Sequence, residues 1–286
     1  MKKYIDFHTH TIYSDGADNP ASLVRNSRLK GIDILAITDH DNLAGFEEAK
    51  AEADIWNMQI IPGAEISTEI YHILALNVNP KDKEFETFLE RVRAYQTEVC
   101  QRRIDLLSNN GIPMTLAKLK HHFPKSRLGQ LNLHMTMLKD PECNTLLKKR
   151  HPTLSPSEIK NFYFRGNGIA AKIGGDSGYV SSKEAIDAIH RAGGIAVLAH
   201  PFHEIKEDIP ETLDGLMNEG LDAIEVQPFY GEKNKPFIKY ATQREIPMTY
   251  GSDFHGAYSP RPLMGRHEMG NHLEEAQLET LLNKWK

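Results

Sequence analysis

The sequence predicts an α/β fold in which seven strands alternate with helices, in the manner of a parallel βα barrel, interrupted by a mainly helical insertion. Three observations carry this. Short apolar runs recur between segments of helical period, and six of the seven are followed by such a segment. Their ends collect His, Asp and Glu, as at the C-terminal face of a βα barrel. Between residues 100 and 180 the alternation stops and the chain becomes basic, short in strands and rich in breakers.

The first strand is Tyr4 to Phe7, running into His8-Thr9-His10. Side chains alternate along a strand, so His8 and His10 share a side, and Ser14-Asp15-Gly16 brings a carboxylate near them in a turn. Asn19-Pro20 caps a helix that ends near Lys30-Gly31. Ile32 to Ile37 reads as a strand buried on both faces and leads into Thr38-Asp39-His40-Asp41. A helix over 43–56 precedes Ile60 to Ala64, which delivers Glu65. Tyr71 to Asn77 is a fourth strand with His72 near its start.

Phe85, Phe88, Leu89, Val92, Val99, Ile104 and Leu107 recur at helical spacing, which predicts one long helix ending at Asn109-Asn110-Gly111. Four shorter helices follow, over 115–122, 131–139, 142–150 and 155–164. Ser181 to Glu184 forms a capping box before a helix over 185–192. Ile195 to Ala199 then delivers His200, Leu221 to Val226 forms the sixth strand, and Ile246 to Gly251 delivers Asp253 and His255. Helices are expected near 211–219, over 236–244 and from 274 to the end. The barrel is therefore assigned to 1–99 and 181–286, and the insertion, a substrate cap, to 100–180.

Composition narrows the function. A net charge of −5 gives no basic field for long nucleic acid. No run approaches the ~20 apolar residues of a membrane span, and no apolar leader opens the chain. Two cysteines supply no disulfide framework, so a reduced, cytoplasmic setting is expected. The informative excess is histidine, 14 residues, several beside Asp or Glu. One core histidine is ordinarily structural. Six strand-end positions carrying His, Asp or Glu (8/10, 40, 65, 72, 200, 253/255) point instead to a metal site. With imidazole and carboxylate but no thiolate, its donors suit Mn, Fe or Zn.

These segments resemble the PHP (polymerase and histidinol phosphatase) family of metal-dependent phosphoesterases. The resemblance is carried by Asp6 to His10 with Ser14-Asp15-Gly16, Thr38 to Asp41, Pro62 to Ser67, His72 to Asn77, Leu198 to Pro201 and Gly251 to His255. It implies a distorted seven-stranded (β/α), TIM-like barrel with a trinuclear centre. His8, His10, Glu65 and Asp253 would hold one ion. Glu65 would bridge to a second, held also by His72 and His200, and Asp15, His40 and His255 would hold the third. Manganese is the first choice of metal. Two such ions can share a water, make it hydroxide near neutral pH and aim it at phosphorus, with Glu65, Asp15 and His200 central to the chemistry. Asp6, Asp39 and Asp41 would orient imidazoles from behind.

The chain is most similar to the branch that acts on nucleoside 3′,5′-bisphosphates and on the 5′ ends of short RNA, so a small nucleotide or short oligoribonucleotide is the expected substrate. That branch's insertion carries an Arg-x-His element, which stands here as Asn132-Leu133-His134. His134, Arg102, Arg103, Arg127 and Arg261 are the candidates for a non-reacting phosphate, because arginine matches phosphate bidentately. His121, His122, His151, His190, His203, His267 and His272 are left to structural or surface roles. The alternatives are a histidinol-phosphate phosphatase and, from another class, a metal-containing module that binds nucleotides without turnover. A polymerase-associated role is not expected, since no polymerase domain accompanies these segments.

Overall fold

The computed structural model describes residues 2–126, 128–171, 173, 179–263, 265 and 272–282. The chain divides into two compact units, Met1–Val92 with Tyr179–Lys286, and Arg93–Gly178. The first unit is built on a sheet of eight strands: β1 (Lys2–Asp6), β2 (Ile34–Ile37), β3 (Gln59–Ser67), β4 (His72–Leu76), β5 (Ile195–Leu198), β6 (Ala223–Val226), β7 (Met248–Tyr250) and β8 (His272–Glu274). Their order is β7-β6-β5-β4-β3-β2-β1-β8. Beyond the ends of β1 and β7 the chain pairs again, with Phe7 N–H donating to Tyr250 O, Asp253 N–H to His8 O and His10 N–H to Phe254 O. The sheet is thus a nearly closed barrel.

Two features depart from the expectation. The sheet holds eight strands where the apolar runs predict seven. β8 is a three-residue strand added antiparallel to β1, within a stretch that carries no apolar alternation to reveal it. The second departure is direction: β4 runs antiparallel to both β3 and β5. A tight turn after Ser67 reverses the chain, with Thr68 Oγ1 donating to Tyr71 O at 2.6 Å. The consequence is functional. In a reversed strand the first residue, not the last, lies level with its neighbours' C-terminal ends, and that first residue is His72.

The buried strands are apolar on both faces because each face has something to cover it. In β2, Ile34 and Ala36 pack with Ile5, Ile61, Leu74, Leu76, Val197 and Ala223 from other strands. The alternate pair, Leu35 and Ile37, packs instead on Leu23 and Val24 of α1 (Pro20–Leu29) and on Ala49 and Ala53 of α2 (Phe46–Ile55). Asn19 caps α1 through Ser22 N–H, with Pro20 at the first turn.

α3 (Lys83–Asn109) begins in the first unit and continues as part of the second, without a break across residue 100, where the barrel assignment had ended. Then come α4 (Leu116–His122), α5 (Gln130–Lys139), α6 (Pro141–Arg150) and α7 (Pro156–Phe164). Thr115, Asp140 and Ser155 each accept a backbone N–H at the N-cap of the helix that follows them. The first unit resumes with α8 (Ser182–Arg191), α9 (Ile209–Glu219), α10 (Lys235–Gln243) and α11 (Glu275–Leu282). Among the described residues no helix is long and apolar enough to cross a membrane.

Candidate metal centre

Glu65, two residues before the end of β3, is fully buried, and its two oxygens face different histidines. Oε1 lies 2.7 Å from His72 Nδ1 and 2.8 Å from His200 Nε2. Oε2 lies 3.2 Å from both His8 Nε2 and His10 Nε2, and 3.1 Å from His40 Nδ1. Asp253 Oδ1 joins the His8 and His10 side, at 3.6 and 3.2 Å. A third group forms around Asp15, whose Oδ1 is 3.2 Å from His255 Nε2 and whose Oδ2 is 3.7 Å from His40 Nε2. Three sets of donor atoms each lie within 4.8 Å of one another: His8, His10, Glu65, Asp253; His40, Glu65, His72; and His10, Asp15, His40, His255.

Local backbone geometry puts them there. His200 and Asp253 follow β5 and β7 with φ of 27° and 55°, left-handed conformations that turn their side chains into the rim. Gly251 could not carry a side chain, since a Cβ there would sit 2.0 Å from Glu225 Oε1 and 2.4 Å from His8 Cβ. Asp39 accepts from Thr11 N–H, Thr11 Oγ1 and Ser14 Oγ, Asp41 from Ser67 N–H, and Asp6 from Ser252 N–H and Oγ. Each of these three carboxylates therefore ties one ligand-bearing loop to the next.

A buried carboxylate does touch the imidazoles from behind, and it is Glu225, which the sequence shows only as one residue of a strand. Its Oε1 is 2.8 Å from His8 Nδ1, and its Oε2 accepts the His200 N–H at 2.7 Å. Bonding Nδ1 leaves His8 Nε2 facing the shared centre. Its partner, just past the end of β1, is 217 residues away, so no local spacing announces it.

The electrostatics call for cations. Burial pushes Glu65 upward, yet His40, His72 and His8 hold its carboxyl well below the usual carboxylate range. Asp15 is treated alike, burial being outweighed by His255 and His40. Burial opposes charge on His8, but Glu225 and Glu65 carry it up to about 10. For His200 burial is again outweighed, by Glu204 and Glu65, and it lies at about 9. The clearest sign is geometric. His8 Nε2 and His10 Nε2 face each other at 3.1 Å, and the buried Glu65 Oε2 and Asp15 Oδ1 accept no hydrogen bond despite nearby ring nitrogens. Lone pairs directed at common points are what divalent ions require, and the residues fit that role.

Of the substrate candidates, Arg261 lies in this unit, with Nη1 against Asp253 Oδ2. Arg102 and Arg103 belong to α3. Arg102 rests over the Tyr95 ring, its Cζ 5.8 Å from the ring centroid, and Arg103 Nε donates to Ala170 O at 3.3 Å. His134 of α5 is 4% exposed, and burial with the nearby Lys160 lowers it to about 4. Arg127 and His267 lie outside the described residues. His203, left to a structural or surface role by the sequence, has Nε2 3.2 Å from Arg261 Nη2.

A barrel whose mouth gathers six imidazoles and three carboxylates at shared points defines a metal-dependent hydrolase. Comparison with known proteins makes this particular. Residues 6–135 match the model of the PHP domain. The chain is 30% identical over 268 residues to the 5′-3′ exoribonuclease Rnm of Salmonella typhimurium, covering 87% of this chain and 84% of that one. It is 25% identical over 263 residues to the 3′,5′-nucleoside bisphosphate phosphatase of Chromobacterium violaceum, covering 88% and 87%. In fold it is similar to a crystal structure described as a metal-dependent phosphoesterase from Bifidobacterium adolescentis, with a TM-score of 0.76, 24% identity and coverage of 98% and 96%. The chain belongs to the PHP family and is a metal-dependent phosphoesterase.

Proposed function

We propose that this phosphoesterase hydrolyses phosphate esters of small nucleotides, either 3′,5′-bisphosphonucleosides or the 5′ ends of short RNA. The observation that carries this is the division of Glu65 between two groups of imidazoles, beside a third group on Asp15. Such a set suits three divalent ions, manganese first. The likeness to proteins named as an exoribonuclease and a bisphosphate phosphatase, over most of each chain, supports the substrate class.

Ions bound there would supply Lewis acidity and an activated water, as multi-metal phosphoesterase sites do. The protein's own contribution is positional. Glu65 holds one oxygen toward His72 and His200 and the other toward His8, His10 and His40, and Asp15 holds His255 and His40. Glu225 keeps His8 Nδ1 occupied and Nε2 inward. No serine or cysteine nucleophile is required, so water attacks phosphorus directly. In the second unit, Arg102, Arg103 and His134 are the proposed contacts for a non-reacting phosphate.

The deciding experiment is phosphate release with Mn²⁺ across 3′-phosphorylated, 5′-phosphorylated and bisphosphorylated nucleosides, short 5′-phosphorylated RNA and histidinol phosphate. Preference for a bisphosphate or an RNA 5′ end is expected. Preference for histidinol phosphate would replace the reading. Tight nucleotide binding without turnover would make the chain a binding module.

A further inference from the structure

The rim after β5, β6 and β7 carries a cation that none of the proposed ligand sets uses. Arg261 places Nη1 against Asp253 Oδ2, while the other oxygen, Oδ1, faces His10 Nε2 at 3.2 Å and His8 Nε2 at 3.6 Å. Two further groups hold the guanidinium in place. Its Nε donates to the Tyr230 hydroxyl at 3.2 Å, and its Nη2 lies 3.2 Å from His203 Nε2. Guanidinium offers five N–H donors in a planar fork, so three contacts leave two N–H groups over among the described residues. The side chain is 22% exposed, which leaves it open to a ligand. On the same wall Lys233 stands 5.4 Å from the Tyr230 ring centroid and adds a second positive charge.

A simple structural ion pair would account for less than this. Asp253 has imidazole nitrogens around Oδ1 already, including His255 Nδ1 at 3.4 Å, so its carboxylate does not depend on Arg261 for a nitrogen neighbour. Tyr230 and His203 fix the guanidinium without neutralising it. An arginine braced by a hydroxyl and a ring nitrogen, touching a carboxylate of the proposed reacting centre and reaching solvent, is arranged for an anion that arrives at that centre.

We propose that Arg261 recognises the phosphoryl group undergoing hydrolysis, while turning Asp253 so that Oδ1 stays toward His8 and His10. This rests on the phosphoester reading above and deepens it. The group recognised on the barrel side is the reacting phosphoryl itself, in any ester, whereas a non-reacting phosphate would be the concern of the second unit.

The test uses R261A and R261K in the full chain, with metal content measured in each. Metal content at the wild-type level is expected in both. For R261A, kcat/KM should fall about 10–100-fold, the size of one lost charge-assisted contact, and by the same factor on p-nitrophenyl phosphate as on a 3′,5′-bisphosphate. Binding of inorganic phosphate to the Mn²⁺-loaded protein, followed by calorimetry, should weaken in parallel, and R261K should recover part of it. A loss confined to the bisphosphate would overturn the proposal in favour of a second-phosphate contact. A fall in metal content would reduce Arg261 to a support for Asp253. Unchanged phosphate affinity would remove it from recognition altogether. Should wild type cleave no phosphate ester, the functional reading fails, yet the phosphate-binding comparison still decides the role of Arg261.

Discussion

His8 and Glu225 form a fully buried pair, Nδ1 to Oε1 at 2.8 Å, in which the second carboxylate oxygen accepts the backbone N–H of His200 at 2.7 Å. One carboxylate thus orients His8, a proposed ligand, and anchors the loop that carries His200, another. Glutamine cannot reproduce both bonds, because it has a single carbonyl oxygen. In E225Q, metal affinity should drop about 10–100-fold, the usual range for losing a carboxylate behind a metal-bound imidazole. Titration of the stripped protein with Mn²⁺ measures it. An unchanged affinity would show that His8 is oriented by something else.

Glu65 belongs to two of the donor sets, so under the proposed sharing its charge matters more than its size. E65Q should lose metal at more than one site and lose at least ~10²-fold in turnover, as when a catalytic metal's activating role is removed. Elemental analysis alongside kinetics tests both halves. Full metal content with near-normal rate would contradict the sharing of Glu65.

Gly251 is a packing requirement of the same region. A Cβ would meet Glu225 Oε1 at 2.0 Å and His8 Cβ at 2.4 Å, and neither is the free end of a flexible chain. G251A should destabilise the fold by about 1–3 kcal/mol, as overpacking does, and should weaken Mn²⁺ binding as well. Denaturant unfolding and metal titration would report the two effects, and a variant as stable and as metal-competent as wild type would refute the clash.

The metal-free protein should have an unusual pH dependence. A group whose pKa is raised on folding stabilises the fold below its unfolded value, and that contribution disappears as pH rises through the folded value. His8 rises to about 10 and His200 to about 9, from an ordinary imidazole value near 6.5. Chelator-treated protein should therefore lose thermal stability steadily from about pH 6.5 to about pH 10, and metal should restore most at the alkaline end. Melting curves at several pH values, with and without Mn²⁺, give the answer. A flat or rising alkaline profile without metal would rule out charged imidazoles in the empty cluster.

The candidates of the second unit predict a different kinetic signature. Replacing Arg102 and Arg103 together by alanine should leave metal content intact. The loss on a 3′,5′-bisphosphate should exceed that on p-nitrophenyl phosphate by about 10-fold or more, since a charge-assisted contact to phosphate is worth roughly 1.5–3 kcal/mol. H134A should show the same contrast if its ring reaches substrate. Equal losses on both substrates would return these residues to the fold.

The sequence by itself determined most elements, because periodicity is local. Ile34 to Ile37 is apolar at every position, and α3 shows its buried face at three- and four-residue intervals. The candidate ligands other than Asp15, which sits in a turn, were legible for a related reason, standing at or beside the place where an apolar run stops or starts. Only the tertiary structure decided that β4 runs backwards, since an apolar run reads alike in both directions. That reversal is what sets His72 beside Glu65. It also decided the role of Glu225, which is one acid within a strand until His8 is folded against it, and the meeting of Arg261 with Asp253, Tyr230 and His203. Those contacts depend on which chain ends face one another across a nearly closed sheet, a property of closure that no short stretch of residues contains.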